Sequence, residues 1–465
     1  MKHGTVWFRK DLRVTDNPAL YQALQHADRI SAVYVDCQEL RSPSNNQQRF
    51  VQESVNQLAY SLAVRGIPFS VLTCETKQRL PEVMEQHAQL NMINGYFANY
   101  AIDIESRRSD HDVEQHLSVP LQRFNGDCVL PHGSIRTANG SMYHVYTPFS
   151  RAWIQQLRLC GYSCFPAPEA CDEQQASTPP FPSVAEQIDW PAGEAAAQQR
   201  LERFCIEYLE DYERARDFPS VSATSQLSPY LAVGSLSPNQ CLQALSQHLG
   251  QLPTERSQPG FAWLNELIWR EFYRHLLYEY PRLGARQAFK PDTEKVRWKQ
   301  NPQGLSAWQE GMTGYPIVDA AMRCLKRSGW MHNRLRMIVA SFLTKDLHID
   351  WRVGESWFSQ LLIDYDLAAN NGGWQWAAST GADAAPYFRV FNPTTQGQRF
   401  DPEGAFIKAW VEELAEVPAK HIHQPHEWLA AQQPENPYPQ PIVDHKQARL
   451  DAIAMFKQAS TEATT

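Results

Sequence analysis

Residues 364–381 read DYDLAANNGGWQWAASTG, and the reading of the whole chain turns on this stretch. It sets two carboxylates (Asp364, Asp366), adjacent amides (Asn370, Asn371), paired glycines (Gly372, Gly373) and two indoles (Trp374, Trp376) within thirteen positions. As a helix it places Asp366, Asn370 and Trp374 on one face at four-residue spacing. A carboxylate, an amide and an indole would then meet one neighbour, expected to be a flat ligand with polar edges. Consecutive glycines inside a helix cost about 1 kcal/mol each relative to alanine, which points to something large approaching the backbone closely. A glycine-capped helix end with core aromatics explains the same letters. Taken alone, the stretch leaves the two readings even.

The chain around it has 465 residues, too many for one ordinary core, and the length suggests two or three domains. Hydrophobic content of 43% against 20% charged residues describes a soluble globular protein. A net charge of -8 argues against an indiscriminate grip on nucleic acid but leaves room for a local basic patch. The nine cysteines are scattered; the closest group, Cys160, Cys164 and Cys171, fits no common zinc or iron-sulfur spacing, and no metal is expected. A reduced cytoplasmic compartment follows. No signal-peptide core or membrane-length apolar run is present, so no membrane partner is expected.

From residue 1 to 130, β-rich runs alternate with helical patterns, the mark of an α/β doubly wound parallel sheet. Strands are expected at Thr5–Phe8, Ile30–Val35, Phe69–Leu72 and Met92–Phe97. Helices are expected at Pro18–Ala27, Gln47–Arg65, Leu80–Leu90 and Asp103–Leu117, the first capped by Asp16 or Asn17. The dinucleotide and triphosphate glycine fingerprints are absent. Any nucleotide site at the sheet's switch point rests on fold analogy alone. Residues 131–198, Pro-, Ala- and Gln-rich from Phe165 to Ala197, are read as an inter-domain connector. Residues 199–465 are read as an all-helical second domain, with helix starts at Ser237-Pro238 and Tyr315-Pro316.

Nine of the 14 tryptophans fall between Trp263 and Trp376. Core packing accounts for most of them. Yet residues 323–352 also hold Arg323, Lys326, Arg327, Arg334, Arg336, Lys345 and Arg352 against only Asp346 and Asp350, and aromatics among cations suit stacked bases and phosphates. A solvated cationic face is the plainer alternative. In WLNELIWREFYRH, Trp263–His275, the residues Glu266, Trp269, Arg270 and Tyr273 share one helical face: a carboxyl partner, a stacking platform and an anion clamp on a cavity wall. An exposed Glu266–Arg270 ion pair would explain them equally well. Thr224–Ser228, TSQLS, offers hydroxyls and backbone N–H groups for a pyrophosphate, or a plain helix cap. In WMHNRLRM, Trp330–Met337, residues Asn333 and Met337 stand four apart with Arg336 alongside, as ligand contacts or as ordinary helix decoration.

Together with VWFRKDLRVTDNPAL at the start, TGYPIVDAAMR, and the run through ADAAPYFRVFNPTTQ, these segments resemble the photolyase/cryptochrome family, most closely its bacterial class I cyclobutane pyrimidine dimer photolyases. The resemblance spans nearly the whole chain. It implies an antenna domain at residues 1–130 and a helical domain at residues 199–465 that binds FAD and DNA. A pyrimidine dimer flipped out of UV-damaged DNA would enter a cavity above the flavin. Photoexcited reduced FAD would then split the dimer by electron transfer, in a dry cavity with one fixed acidic partner.

Carried over by resemblance, Tyr212, Thr224, Ser225, Gln226, Leu227 and Ser228 contact the FAD phosphates, and Trp263 lines the pocket. Arg336 and Asp364 form an ion pair at the flavin edge with Tyr365 and Asp366 beside it, and Asn370 faces flavin N5. Glu266 bonds the dimer, Trp269 and Trp376 wall it, and Asn333 and Met337 contact it. Arg216, Arg270, Arg334 and Arg389 serve DNA phosphates or the rim. Trp374, Trp351 and Trp298 resemble the indole chain that re-reduces the flavin.

Two departures stand out. Gln226 occupies a position where relatives carry Arg. Glu105 and Ser106 replace the Asn-Glu pair of folate-binding relatives, and Gly284 and Ala285 replace a Cys-Lys pair. Methenyltetrahydrofolate near Glu105 is the default antenna, with a deazaflavin, another flavin or an empty site as alternatives. A monomer is expected. The rival reading is a cryptochrome-type blue-light receptor without repair, against which the Asn333/Met337 pair, Asn370 and the short tail weigh. An unrelated flavin oxidoreductase would need a nicotinamide site, and no fingerprint for one appears.

Overall fold

The computed structural model describes residues 1–171, 178–185 and 188–464. Positions 172–177 and 186–187 of the expected connector lie outside the described residues. The chain divides into two compact units: residues 1–213, 225–281 and 363–368 form one, and residues 214–224, 282–362 and 369–465 the other.

The first unit is built on a five-stranded, wholly parallel sheet: β1 (His3–Phe8), β2 (Arg29–Cys37), β3 (Phe69–Cys74), β4 (Gly95–Asn99) and β5 (Leu121–Phe124), in the order β3-β2-β1-β4-β5. Helices α1 (Pro18–His26), α2 (Asn45–Ala63), α3 (Leu80–Leu90) and α4 (Ile104–His116) make the crossovers. β1 is buried along its whole length because both its faces are covered, as the apolar run Val6-Trp7-Phe8 requires. Asn17, not Asp16, caps α1 by accepting the Leu20 N–H.

Two strand readings need correction. β4 starts at Gly95, not Met92, because exposed Met92 has φ 49° and belongs to the preceding turn. β5 is too short to show a periodicity and was not expected from the sequence. The order reverses at β1, but the chain's own polar groups bridge the β1 and β4 ends. Asn99 Nδ2 donates to Asp11 at 2.7 Å and to Asn17 at 2.9 Å, while Arg9 donates to Asp110 and to the Asn99 carbonyl.

The same unit contains α5 (Tyr146–Cys160), α6 (Glu194–Glu207), the start of α7 (Tyr212–Ala215), α8 (Ser228–Val233), α9 (Pro238–Leu249) and α10 (Phe261–Glu279). α5 falls within the stretch expected to be a connector. It packs because Phe149, Trp153 and Leu157 recur at four-residue spacing and are all buried. α9 begins as expected, with a Ser237/Gln240 capping box.

The second unit is helical: α11 (Pro302–Glu310), α12 (Pro316–Ser328), α13 (Asn333–Ser341), α14 (Trp351–Leu361), most of α15 (Leu367–Ala378), α16 (Pro393–Phe400), α17 (Ala405–Trp410), α18 (His426–Gln432) and α19 (His445–Thr464). α12 has no capping side chain at Tyr315. The buried Asp319 carboxylate instead accepts the Thr313 and Gly314 N–H groups and the Tyr438 hydroxyl. α13 runs into a five-residue π turn, Phe342–Asp346, in which the Leu347 N–H reaches back to the Phe342 carbonyl.

Candidate functional site

α10 carries four of the expected site residues, Trp263, Glu266, Trp269 and Arg270. Its buried stripe joins Trp263, Leu264, Leu267, Ile268 and Phe272 with three polar groups, Glu271, Arg274 and His275. Beside it the half-buried Glu266, Trp269, Arg270 and Tyr273 follow one another around the helix, as the spacing predicts. One face of the Trp269 indole is covered by Tyr146, with ring centroids 3.6 Å apart and planes 5° from parallel. The Tyr146 hydroxyl donates to the Asn265 side chain at 2.7 Å, so the platform is fixed from α5. Sequence reasoning missed Tyr146, since nothing local marks a ring whose stacking partner, Trp269, lies on a helix remote in sequence.

Arg270 does not pair with Glu266, nor does it stand at a rim. It donates to the Asp127 carbonyl at 2.7 Å and to the Asp127 carboxylate at 2.8 Å. Arg274 grips the same carboxylate and forks onto both oxygens of Asp366 at 2.9 Å. Burial by itself would raise the Asp127 carboxyl, but the guanidiniums of Arg274 and Arg270 outweigh it and hold the group well below the usual carboxylate range. The alternation Asp366–Arg274–Asp127–Arg270 ties the residues just before α15 to α10 and leaves Arg270 no free fork for a phosphate.

Phe204 of α6 lies between Tyr212 and Trp263, at 5.6 and 5.0 Å, so these two expected pocket residues do come together. In the TSQLS string Leu227 is buried, Thr224, Ser225 and Gln226 are half-buried, and Ser228 opens α8. Gln226 has φ 50° and accepts from Arg200 Nη1 at 2.6 Å, while Arg200 also lies over the Trp190 ring. A guanidinium therefore stands at this string even though Gln occupies position 226. Asp364 is buried, and Gln47 of α2 donates to the Tyr365 carbonyl at 2.6 Å.

In the second unit the first turn of α13 gathers three expected contacts. Asn333 Nδ2 and Arg334 Nη1 lie 4.0 and 3.9 Å from the Met337 sulfur, and Arg334 Nη2 donates to Asp217 at 2.7 Å. Arg336 Nε donates to the Met331 carbonyl. Arg216 is half-buried, Arg389 is exposed, and Trp376 is half-buried near Phe391.

The cationic window 323–352 is largely neutralised by partners remote in sequence. Arg323 pairs with Glu413, Lys326 with Glu310, and Arg352 with Glu294, while Lys345 is buried. A local charge count overstated this patch.

α15 is helical, as one reading of the opening stretch required, and the residues of its polar face also have separate protein partners. Asp366 takes Arg274, Asn370 Nδ2 donates to the Glu355 carbonyl at 3.0 Å, and Trp374 packs edge-on against Phe358 and Trp308. Among the described residues nothing lies within 4 Å of the place a Cβ of Gly373 would take, which leaves its backbone open to a ligand. Crowding within the protein occurs at Gly354 on α14, where a Cβ would stand 2.1 Å from Trp374 Cη2. Trp374 and Trp351 are buried and Trp298 is half-buried, a gradient from core to surface.

Within the first unit, hydroxyls with a nearby guanidinium and the buried Asp364 carboxylate are donors and acceptors suited to a phosphorylated heteroaromatic ligand, and within the second unit the tethered Asn370 amide is another. Residues 5–171 match the family described as DNA photolyase, and residues 263–458 match the FAD binding domain of DNA photolyase. The chain is 46% identical to the deoxyribodipyrimidine photo-lyase of Escherichia coli (strain K12), over 98% of each chain. It superimposes on a class III photolyase from Agrobacterium tumefaciens with a TM-score of 0.87 at 34% identity, covering 99% of this chain and 98% of the other. A Synechocystis cryptochrome gives 0.85 at 29% identity, covering 98% and 99%.

Proposed function

The chain belongs to the DNA photolyase family, and on that footing we propose that it is a deoxyribodipyrimidine photo-lyase: a light-dependent DNA repair enzyme that splits cyclobutane pyrimidine dimers. The observation that carries this reading is full-length identity to a named photo-lyase, joined to the placement of Glu266 and Trp269 side by side on α10.

FAD suits the donor set, and when bound and reduced it supplies the photoexcited electron that opens the dimer. The chain's residues do the rest. Tyr212, Thr224, Ser225, Gln226, Leu227 and Ser228 would hold the phosphates, with Arg200 adding positive charge at Gln226, and Trp263, Arg336, Asp364, Tyr365 and Asp366 would contact the rest of the cofactor. Asn370 has its Nδ2 tethered to the Glu355 carbonyl, which presents Oδ1 as an acceptor for a ring N–H. Glu266 offers its carboxyl to the flipped bases, while Trp269, propped by Tyr146, and Trp376 exclude water from them. Asn333 and Met337 complete the wall. Arg216, Arg334 and Arg389 serve the DNA backbone. Trp298, Trp351 and Trp374 would relay electrons from a reductant in solution toward a bound flavin.

Methenyltetrahydrofolate is the proposed antenna of the N-terminal domain. Glu105 there is held by Lys77 and Arg108, so a carboxylate and two cations face an anionic, amide-rich ligand together. Chromophore extraction and fluorescence separate folate from a flavin or deazaflavin. The enzyme acts as a cytoplasmic monomer on UV-damaged DNA. Among the described residues no helix is long and apolar enough to cross a membrane.

The deciding experiment exposes a thymine-dimer oligonucleotide to the reduced protein under blue light and in darkness. Light-dependent loss of the dimer is the expected result. A flavin that photoreduces without repair would replace this reading with that of a cryptochrome-type light receptor.

A further inference from the structure

One buried cluster in the first unit has no part in that activity. Cys128 and His132 follow β5, and Glu271 and His275 stand one turn apart on α10. The Cys128 sulfur, a Glu271 carboxylate oxygen and a His275 ring nitrogen lie within 4.8 Å of one another, and His132 Nε2 lies 3.3 Å from the same sulfur. Cys128 is 2% exposed, and Glu271 and His275 are each 1% exposed. Neither ring nitrogen of His275 makes a well-aligned hydrogen bond among the described residues, although the Leu130 backbone approaches one of them. Buried polar groups are almost always well hydrogen-bonded, so an imidazole buried beside a thiol with neither nitrogen well bonded calls for an explanation.

We propose that Cys128, Glu271 and His275 form a structural site for a divalent transition metal of the zinc class, which His132, beside the same sulfur, can complete by a shift of its ring. A thiolate, imidazole nitrogens and a carboxylate form the mixed, borderline-soft donor set that zinc takes in closed tetrahedral sites, and the sulfur disfavours calcium or magnesium. The spacing agrees: Glu271 and His275 are an i,i+4 pair on one helical face. The supporting shell is also in place. The Trp153 indole N–H donates to Glu271 Oε2 at 2.6 Å and the Val129 N–H donates to Oε1, so the carboxylate is already oriented. Asp127, next to Cys128, is excluded as a ligand because two arginines hold it.

The metal would pin residues 128–132 to α10, the helix that carries Glu266 and Trp269. The sequence reading expected no metal, because these four ligands come from two segments about 140 residues apart and form no contiguous motif.

The test takes the intact flavin-loaded protein, strips it with a chelator, returns zinc and dialyses. Metal content is read by mass spectrometry and the ligands by zinc-edge X-ray absorption. Stoichiometric retained zinc is expected, with one sulfur at about 2.3 Å and nitrogen or oxygen at about 2.0–2.2 Å. Cys128→Ser and His275→Asn should each weaken zinc binding by at least about tenfold, the lower end of what loss of even an outer-shell partner costs. Cys160→Ser, at an exposed thiol, should leave it unchanged. No retained zinc, an edge spectrum without sulfur, or equal uptake by the two ligand variants overturns the proposal. Should those variants fail to fold, the absorption spectrum of the unsubstituted protein decides alone.

Discussion

The indole of Trp374 lies so close over Gly354 that a Cβ on that glycine would stand 2.1 Å from Cη2 and 2.4 Å from Cζ3. No side chain fits there unless the ring moves. The ring is held on its other sides by Phe358 and Trp308, so it has little room to move.

Gly354→Ala should therefore cost about 1–3 kcal/mol of stability, the usual range for overpacking. If Trp374 carries electrons to the flavin, displacing it should also slow photoreduction of the oxidised protein. Urea denaturation and the photoreduction rate under blue light check the two parts separately. An unchanged photoreduction rate in a destabilised protein would remove Trp374 from the electron path.

Trp269→Ala removes a stacking face and should weaken binding of dimer-containing DNA by about 1–3 kcal/mol. Flavin content should stay the same. Fluorescence anisotropy with damaged and undamaged oligonucleotides measures it. Equal affinity of the variant and the unsubstituted protein for damaged DNA would count against this platform.

The two arginines once expected to act alike should separate. Arg389 is exposed, so Arg389→Ala should weaken DNA binding regardless of base sequence and reduce the salt slope by about one. Arg270 is held by Asp127 inside the first unit. Arg270→Ala should leave the salt slope alone and destabilise the fold by about 1–3 kcal/mol, because hydrogen bonds to a charged group are lost while Arg274 still holds Asp127. Salt titrations of binding and urea midpoints on both variants decide between these fates.

Lys345 supplies a pH test. It is fully buried in the π turn, donates to Ser379 Oγ at 2.9 Å, and is lowered from 10.5 to about 7 by burial and by the charge of Lys290. The unfolded lysine stays protonated up to its ordinary pKa, whereas the folded one is protonated only below about 7. Between those values the unfolded state binds more protons, so this group makes stability rise with pH. Lys345→Met should stabilise the protein near neutral pH by roughly 1–4 kcal/mol, the range for buried ions replaced by apolar groups. The gain should shrink as pH approaches 10. Urea midpoints at about pH 6 and about pH 9 give the sign.

The sequence by itself determined the class of the fold and the family. Strands β1 to β3 and helices α1 to α4 were legible because burial on both sheet faces demands apolar runs and crossover helices demand a 3.6-residue period, and both are local patterns. The α10 face that joins Glu266, Trp269 and Tyr273 was legible for the same reason. Tertiary structure alone decided where charge and crowding go. Arg270 leaves its helical neighbour Glu266 for Asp127, the window 323–352 loses its charge to Glu310, Glu413 and Glu294, and Cys128 meets His275. The partners in each case are brought together by packing and not by spacing. A guanidinium, a thiol or an imidazole acts over a few ångströms, and the chain distance to its partner sets no limit on that encounter.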